Sequence, residues 1–237
     1  MDTYTNKPTE SLAIKYNTAE AKKEWQKYYD TAKQNMAKRK LRDSKLDLIE
    51  IAAQHPLKNG ITPDTAFEQR LKTGISLYNE LKANGRNAKI YIPGSLHIGD
   101  DVSLSSAGIK YLKDSGAVDT DDILDESVND LYKNNEGVYN SADECYVASK
   151  IFSDGEYTNL YCICSANQMM RKKLFYFRFG IIPQIYTVPD DNFHDDMYEI
   201  FEGVPDVIFG DHDWQDEKSY HYNRTRIERM RGFEPKN

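Results

Sequence analysis

Residues 160–180 read LYCICSANQMMRKKLFYFRFG, and this stretch decides the fold. Leu160 to Cys164 is a short, unbroken apolar run, the pattern of a strand covered on both faces, as in a parallel sheet. Ser165-Ala166-Asn167 interrupts it with two residue types that cap helices well. Met170, Leu174 and Phe177 then recur at helical spacing, and Gly180 supplies a C-terminal stop. Strand, tight polar turn and helix place the turn at the carboxyl end of a strand, beside free helix N–H groups. Open α/β sheets bind anionic ligands at such turns. Arg171, one turn into the helix, is positioned to offer a planar cationic fork to phosphate or carboxylate.

Reading outward, the rest of the chain repeats the alternation. Leu46 to Ala53 reads as a first strand, and Thr62-Pro63 opens a helix carrying Phe67, Leu71, Ile75, Tyr78 and Leu81 on one face. Lys89 to Ile92 is a second strand, followed by the loop Pro93-Gly94-Ser95-Leu96-His97-Ile98-Gly99-Asp100 and a helix from Ser103 to Asp114 that ends at Gly116. Asp122 to Glu126 is expected as a third strand and Ser127 to Gly137 as a loop. A helix is expected from Asn140 to Phe152, and a last strand from Gln184 to Val188 before Pro189. This order predicts an α/β, Rossmann-like three-layer sandwich with a mostly parallel sheet of about five strands and right-handed crossovers.

Three regions follow: a helical N-terminal extension over 1–45, the Rossmann-like domain over 46–190, and a C-terminal extension over 191–237 packed on the same domain. In the first, Trp25, Tyr28, Tyr29, Ala32 and Met36 trace a narrow apolar stripe among lysines. Such a helix is expected to pack on the domain or to form a homodimer contact with a second copy. In the last, Phe193 to Phe201 reads as a helix, Val207 to Phe209 as an edge strand and Ser219 to Met230 as a helix.

The formal charge of −7 argues against nucleic acid as the main partner. No apolar run reaches the roughly 18 residues of a membrane helix, and the N-terminus lacks the apolar core of a signal peptide, so a cytoplasmic location is expected. Cys145, Cys162 and Cys164 are too few for a disulfide framework and read as buried thiols, with Cys162 and Cys164 on one face of their strand.

The parallel order gathers the loops after the strands at one rim. Gly94 and Gly99 allow close backbone approach to a phosphate, and Ser95 and His97 supply donors. The loop matches neither the dinucleotide fingerprint nor the P-loop. Glu126, at the end of the expected third strand, is placed to accept ribose hydroxyls or to cap a loop. Gly210-Asp211-His212-Asp213 echoes a metallophosphatase turn, but that class needs an upstream Asp-x-His, and Ala53-Gln54-His55 stands there instead. A solvated loop is the expected reading, with no metal.

With these turns placed, the chain resembles the YdcF/SanA/ElyC-like domain family of bacteria. Ser165-x-x-Gln168-x-x-Arg171 stands where the family commonly carries Ser-x-x-His-x-x-Arg. Gly116 followed by Ile123-x-x-Glu126 resembles its Gly-Val-Pro…Ile-x-x-Glu run, and Tyr139-Asn140-Ser141-Ala142 its Thr-x-Glu-Asn-Ala segment. Arg70 and Pro93-Gly94-Ser95 fall in register with its Arg and Ser-Gly-Gly. The resemblance covers about Leu46 to Pro189. It implies a Rossmann-like domain with a polar cleft for a nucleotide-like or other small anionic molecule. Gly94, Ser95, His97, Glu126, Asn140, Ser165, Asn167, Gln168 and Arg171 are its candidate ligand-binding residues. Gln168 departs from the usual His, and a glutamine cannot move a proton.

Two functions stay open on these residues. One is a cytoplasmic small-molecule-binding protein, with or without catalysis on a nucleotide-like, adenosyl or phosphorylated compound; the cofactor is left open between S-adenosylmethionine and a nucleotide. The other is a non-catalytic interaction protein that dimerises through its helical extensions and carries a degenerate cleft. No catalytic residue is assigned.

Overall fold

A computed structural model describes residues 19–39, 45–133 and 137–189. In chain order the elements are α1 (Ala19–Arg39), β1 (Leu46–Ile51), α2 (Thr65–Ala83), β2 (Asn87–Tyr91), α3 (Leu104–Ser115), α4 (Ser127–Lys133), α5 (Ser141–Asp154), β3 (Tyr157–Ser165), α6 (Met169–Arg178) and β4 (Gln184–Val188). The four strands form one sheet in the order β2-β1-β3-β4, and every pairing is parallel.

Strand alternation sorts the core into two layers. Leu48, Ala52, Tyr91, Leu160, Cys162 and Cys164 face α5 and α6, whereas Ile49, Ile51, Ala53, Ile90, Ile92, Tyr161 and Ile163 face α2 and α3. The architecture is therefore α/β and Rossmann-like, with helices on both faces of the sheet. α2 approaches β1 so closely that a Cβ on Gly74 would lie 2.3 Å from Ile51 Cδ1. All three cysteines are buried free thiols, and burial pushes those of Cys145 and Cys162 well above the ordinary value.

The expected third strand is reduced to a single bridge, Ile90 with Ile123, joined by Leu124 N–H to Ile90 O at 2.8 Å. Side chains just before it draw the chain off the sheet edge. Asp122 accepts from Tyr78 (2.7 Å), Lys82 (3.0 Å) and Lys89 (3.0 Å), which winds Thr120–Asp122 into a 3₁₀ turn. The sheet thus has four strands among the described residues instead of five. Residues 127–133, expected as loop, form α4, whose Asn129 takes the Tyr91 hydroxyl at 2.6 Å. The α2 cap is Asp64, accepting from Phe67 N–H at 2.8 Å, two residues past the expected Thr62 start.

α1 packs on this domain. Tyr29 meets Phe177 edge-on at 5.2 Å, and the Arg178 guanidinium lies over Tyr28 at 4.5 Å while donating to its hydroxyl at 2.9 Å. Arg39 donates to the carbonyls of Phe152, Ser153, Gly155 and Tyr157, closing the C-terminal end of α5. The side chains of Trp25 and Asn167, and the elements expected beyond Pro189, lie outside the described residues.

The α5–α6 side of the sheet buries an ionic cluster. Lys172 of α6 donates to Glu50 of β1 at 2.6 Å and to Glu144 of α5 at 2.5 Å, and the Tyr176 hydroxyl donates to the other Glu50 oxygen. Burial alone would lower the Lys172 pKa, but the Glu144 and Glu50 carboxylates outweigh it and hold it well above the ordinary lysine value.

Lys172→Met leaves two carboxylates buried without their cation. It should lower unfolding free energy by roughly 3–5 kcal/mol in urea denaturation at pH 7. Adding Glu50→Gln should recover part of the loss, because the amide removes one charge and still accepts from Tyr176.

Asp122 gives a pH-dependent test. Burial would raise its carboxyl, but the Tyr78, Lys82 and Lys89 hydrogen bonds prevail and hold it below the ordinary value. A lowered native pKa contributes stability that is present above the unfolded value and lost as pH falls through the folded one. Asp122→Asn should therefore cost about 1–2 kcal/mol at pH 7. That difference from wild type should close in acid-titrated melting curves as the wild-type carboxyl becomes protonated.

Candidate functional site

The chain leaves β1 for β2 on one side and later returns to β3 on the other, so the sheet reverses direction of growth between β1 and β3. A crevice opens at the carboxyl ends of strands at such a point. Here the strand ends are organised by Arg70, a fully buried side chain on the inner face of α2. Its Nη1 donates to Ala52 O (3.1 Å) and Ala53 O (2.8 Å), and its Nη2 donates to Gln54 Oε1 (2.6 Å) and to Ser165 Oγ. One guanidinium thus ties the end of β1 to the end of β3.

The loop after β2 is fixed from two sides. Gly94, at φ +117°, accepts from Ser105 N–H at 2.9 Å; a Cβ there would lie 2.7 Å from that of Leu104, so only glycine fits. Ser95 exchanges hydrogen bonds with Val138, its N–H donating to Val138 O (2.9 Å) and its Oγ accepting from Val138 N–H (2.8 Å). These bonds seat the segment before α5 on the Gly94 loop. His97 lies between them, stacked on His55 at 4.6 Å and edge-on to Tyr139 at 5.4 Å. His55 Nε2 is 3.5 Å from Asp100 Oδ2, and Asp100 Oδ1 accepts from Leu57 N–H at 3.1 Å.

The third part is a pair of helix starts. Lys172 and Glu144 meet across α6 and α5, and Cys145 Sγ contacts Lys172 O at 3.9 Å. Gln168 and Asn140 precede these two by four residues, so the helices begin beside each other at the rim. Asn140 caps α5 through Oδ1, which accepts from Ala142 N–H (2.9 Å) and Asp143 N–H (3.0 Å). That orientation points its Nδ2 the other way. Asn140 is 3% exposed, and among the described residues its Nδ2 has no hydrogen-bond partner. Gln168 is 8% exposed, and its Oε1 has none either. Arg171 is 2% exposed, and Lys133 pairs with Asp143 at 3.2 Å just below the α5 cap.

Gly94, Ser95, His97, Asn140, Ser165, Gln168 and Arg171 therefore all come to the carboxyl rim of the sheet or the helix turns that begin there. Asn167 belongs to the 3₁₀ turn Ala166–Gln168 that separates β3 from α6; Ser165 begins this turn without a side-chain cap bond. Glu126 is exposed and accepts from the Ser103 (2.7 Å) and Ser106 (2.6 Å) hydroxyls, at the start of α3. Sequence reasoning overlooked the His55–Asp100 pair, because only folding brings the loops after β1 and β2 together. Arg70 had a signal: it lies three residues from Phe67, inside the apolar stripe of α2, where an arginine needs buried acceptors.

No protein-family model, curated protein or solved structure matches the chain. Among the described residues no group of three or more His, Cys, Asp or Glu is arranged to hold a metal ion, and no helix is long and apolar enough to cross a membrane. The Gly210–Asp213 turn lies outside the described residues.

Arg70 gives a graded test of how the rim is built. Arg70→Met strips donors from three buried acceptors and the half-buried Gln54, and should lower stability by about 3 kcal/mol or more, whereas Ser165→Ala removes one neutral acceptor and should cost about 1 kcal/mol. Chemical denaturation of both variants checks the ratio.

Proposed function

We propose that this chain is a cytoplasmic small-molecule-binding protein that holds an anionic group at the rim between β1 and β3. The observation that carries the reading is the buried Asn140 Nδ2, a donor without a partner among the described residues at the start of α5. A buried donor left unpaired is costly, and an acceptor supplied by a ligand removes that cost. α5 and α6 begin side by side there, and both present the positive ends of their dipoles. The buried guanidinium groups of Arg70 and Arg171 add positive charge around this rim, while Lys133 is paired with Asp143.

The resemblance to the YdcF-like family supports a phosphorylated, nucleotide-like or adenosyl ligand. Gln168 supports binding over proton transfer at its own position, because a side-chain amide does not ionise near neutral pH and so cannot serve as a general acid or base.

Asn140→Ser separates ligand binding from folding. Serine caps a helix as well as asparagine does, but lacks the Nδ2 donor. In thermal-shift assays with sulfate, phosphate, nucleoside monophosphates, sugar phosphates and S-adenosylmethionine, the wild type should be stabilised by at least one anion. The variant should keep its ligand-free melting temperature within a few degrees and lose roughly 1.5–3 kcal/mol of binding, the range for a hydrogen bond to a charged group. A wild type that responds to no anion would refute the reading.

A further inference from the structure

A second buried polar atom at this rim lacks a partner, and its sense is opposite to that of Asn140. Gln168 joins the 3₁₀ turn Ala166–Gln168 to α6, is 8% exposed, and its Oε1 accepts no hydrogen bond among the described residues. It does not cap its own helix, for α6 begins without a side-chain cap bond. A glutamine that only completed the turn would point into water, where both ends of the amide are satisfied. Burying the carbonyl unpaired has a cost that the fold does not recover by itself. The Glu144–Lys172 bond joins α5 and α6 one turn further along, so Asn140 and Gln168 stand together at the two helix starts. The positive ends of both helices favour the amide oxygen there over the amide nitrogen. The pair therefore offers a ligand one donor, Asn140 Nδ2, and one acceptor, Gln168 Oε1.

We infer that Gln168 makes this rim selective for hydroxylated organic anions: a charged oxygen accepts from Asn140 Nδ2 while a hydroxyl of the same molecule donates to Gln168 Oε1. The inference rests on the reading of the rim as an anion site and adds the class of ligand, a polyol or sugar phosphate ester. An anion with no hydrogen to give sets its own oxygens against the Gln168 carbonyl and leaves that carbonyl buried and unpaired. For this reason a site built to pair a ligand hydroxyl rejects the analogue that lacks it. A hydroxyl suits the place better than an ammonium group, since the positive field that attracts the anion opposes a cation. Gln168 is thus a specificity-determining residue.

The test compares glycerol 3-phosphate with propyl phosphate by calorimetry on the full chain at pH 8. Propyl phosphate keeps the phosphoryl group and the carbon chain but has no hydroxyl. Both esters are dianions at that pH, because the second phosphate pKa is about 6, so neither carries a P–O–H donor. Wild type should bind glycerol 3-phosphate at least about tenfold more tightly than propyl phosphate. Gln168→Met, which removes the acceptor, should bind the two esters equally, and propyl phosphate no more weakly than wild type does. Its ligand-free melting temperature should stay level or rise, because apolar atoms replace an unpaired buried carbonyl. Three results overturn this inference and leave the anion site standing: wild-type binding of both esters without preference, a preference that survives Gln168→Met, or a sharp fall in the melting temperature of that variant. Binding of neither ester also overturns it, and if sulfate and inorganic phosphate fail to bind as well, the anion site falls with it.

Discussion

The site depends on one buried ammonium group. Lys172 reaches from α6 to Glu144 on α5 and to Glu50 in the middle of the sheet, and Tyr176 closes the remaining Glu50 oxygen. Such a cluster is a weak source of net stability, because desolvating three charges offsets most of their attraction. What it supplies is register: an apolar seam between α5 and α6 would tolerate sliding, whereas a shared ammonium does not. Through it the two helices begin at the same height, and Asn140 and Gln168 reach the rim together.

Arg70 does for the sheet what Lys172 does for the helices. Strands β1 and β3 end next to each other with carbonyls and a hydroxyl that would otherwise face a crevice unpaired. The guanidinium takes Ala52 O, Ala53 O, Gln54 Oε1 and Ser165 Oγ, four acceptors on two strand ends. The planar fork suits this task where a lysine would not. Ser165 is consequently part of the frame, and the groups left over for a ligand are those on the helix starts and on the histidine loop.

Much of the buried charge is paired. The chain is acidic overall at −7, and Arg70, Arg171, Lys133 and Lys172 are buried, with Asp143 against Lys133 and with Glu50 and Glu144 against Lys172. Asp122 binds Tyr78, Lys82 and Lys89 along the β2 edge, pushing the Tyr78 hydroxyl up to about 12 by burial and by that carboxylate.

Sequence by itself determined most of the elements, though not the helix α4 over Ser127–Lys133, which it read as loop. The apolar run at Leu160–Cys164, the caps at Ser103 and Asn140 and the stop at Gly116 are local signals, set by backbone hydrogen bonding within a few residues, and they name β3, α3 and α5 correctly. The parallel order followed, and with it the one rim that collects Gly94, Ser95, His97, Ser165 and Gln168. Sequence failed where a long-range partner outweighed local preference. Asp122–Glu126 has a strand-like run, but Tyr78, Lys82 and Lys89 claim Asp122 and leave one bridge at Ile123. Tertiary structure alone decided which polar residues are partners. Arg70 is separated by 95 residues from Ser165, and Lys172 by 122 from Glu50. His55 and Asp100 lie on loops after different strands. No periodicity encodes such pairs, because each is set by where burial leaves a charge or a donor without water, and only the folded chain defines that place.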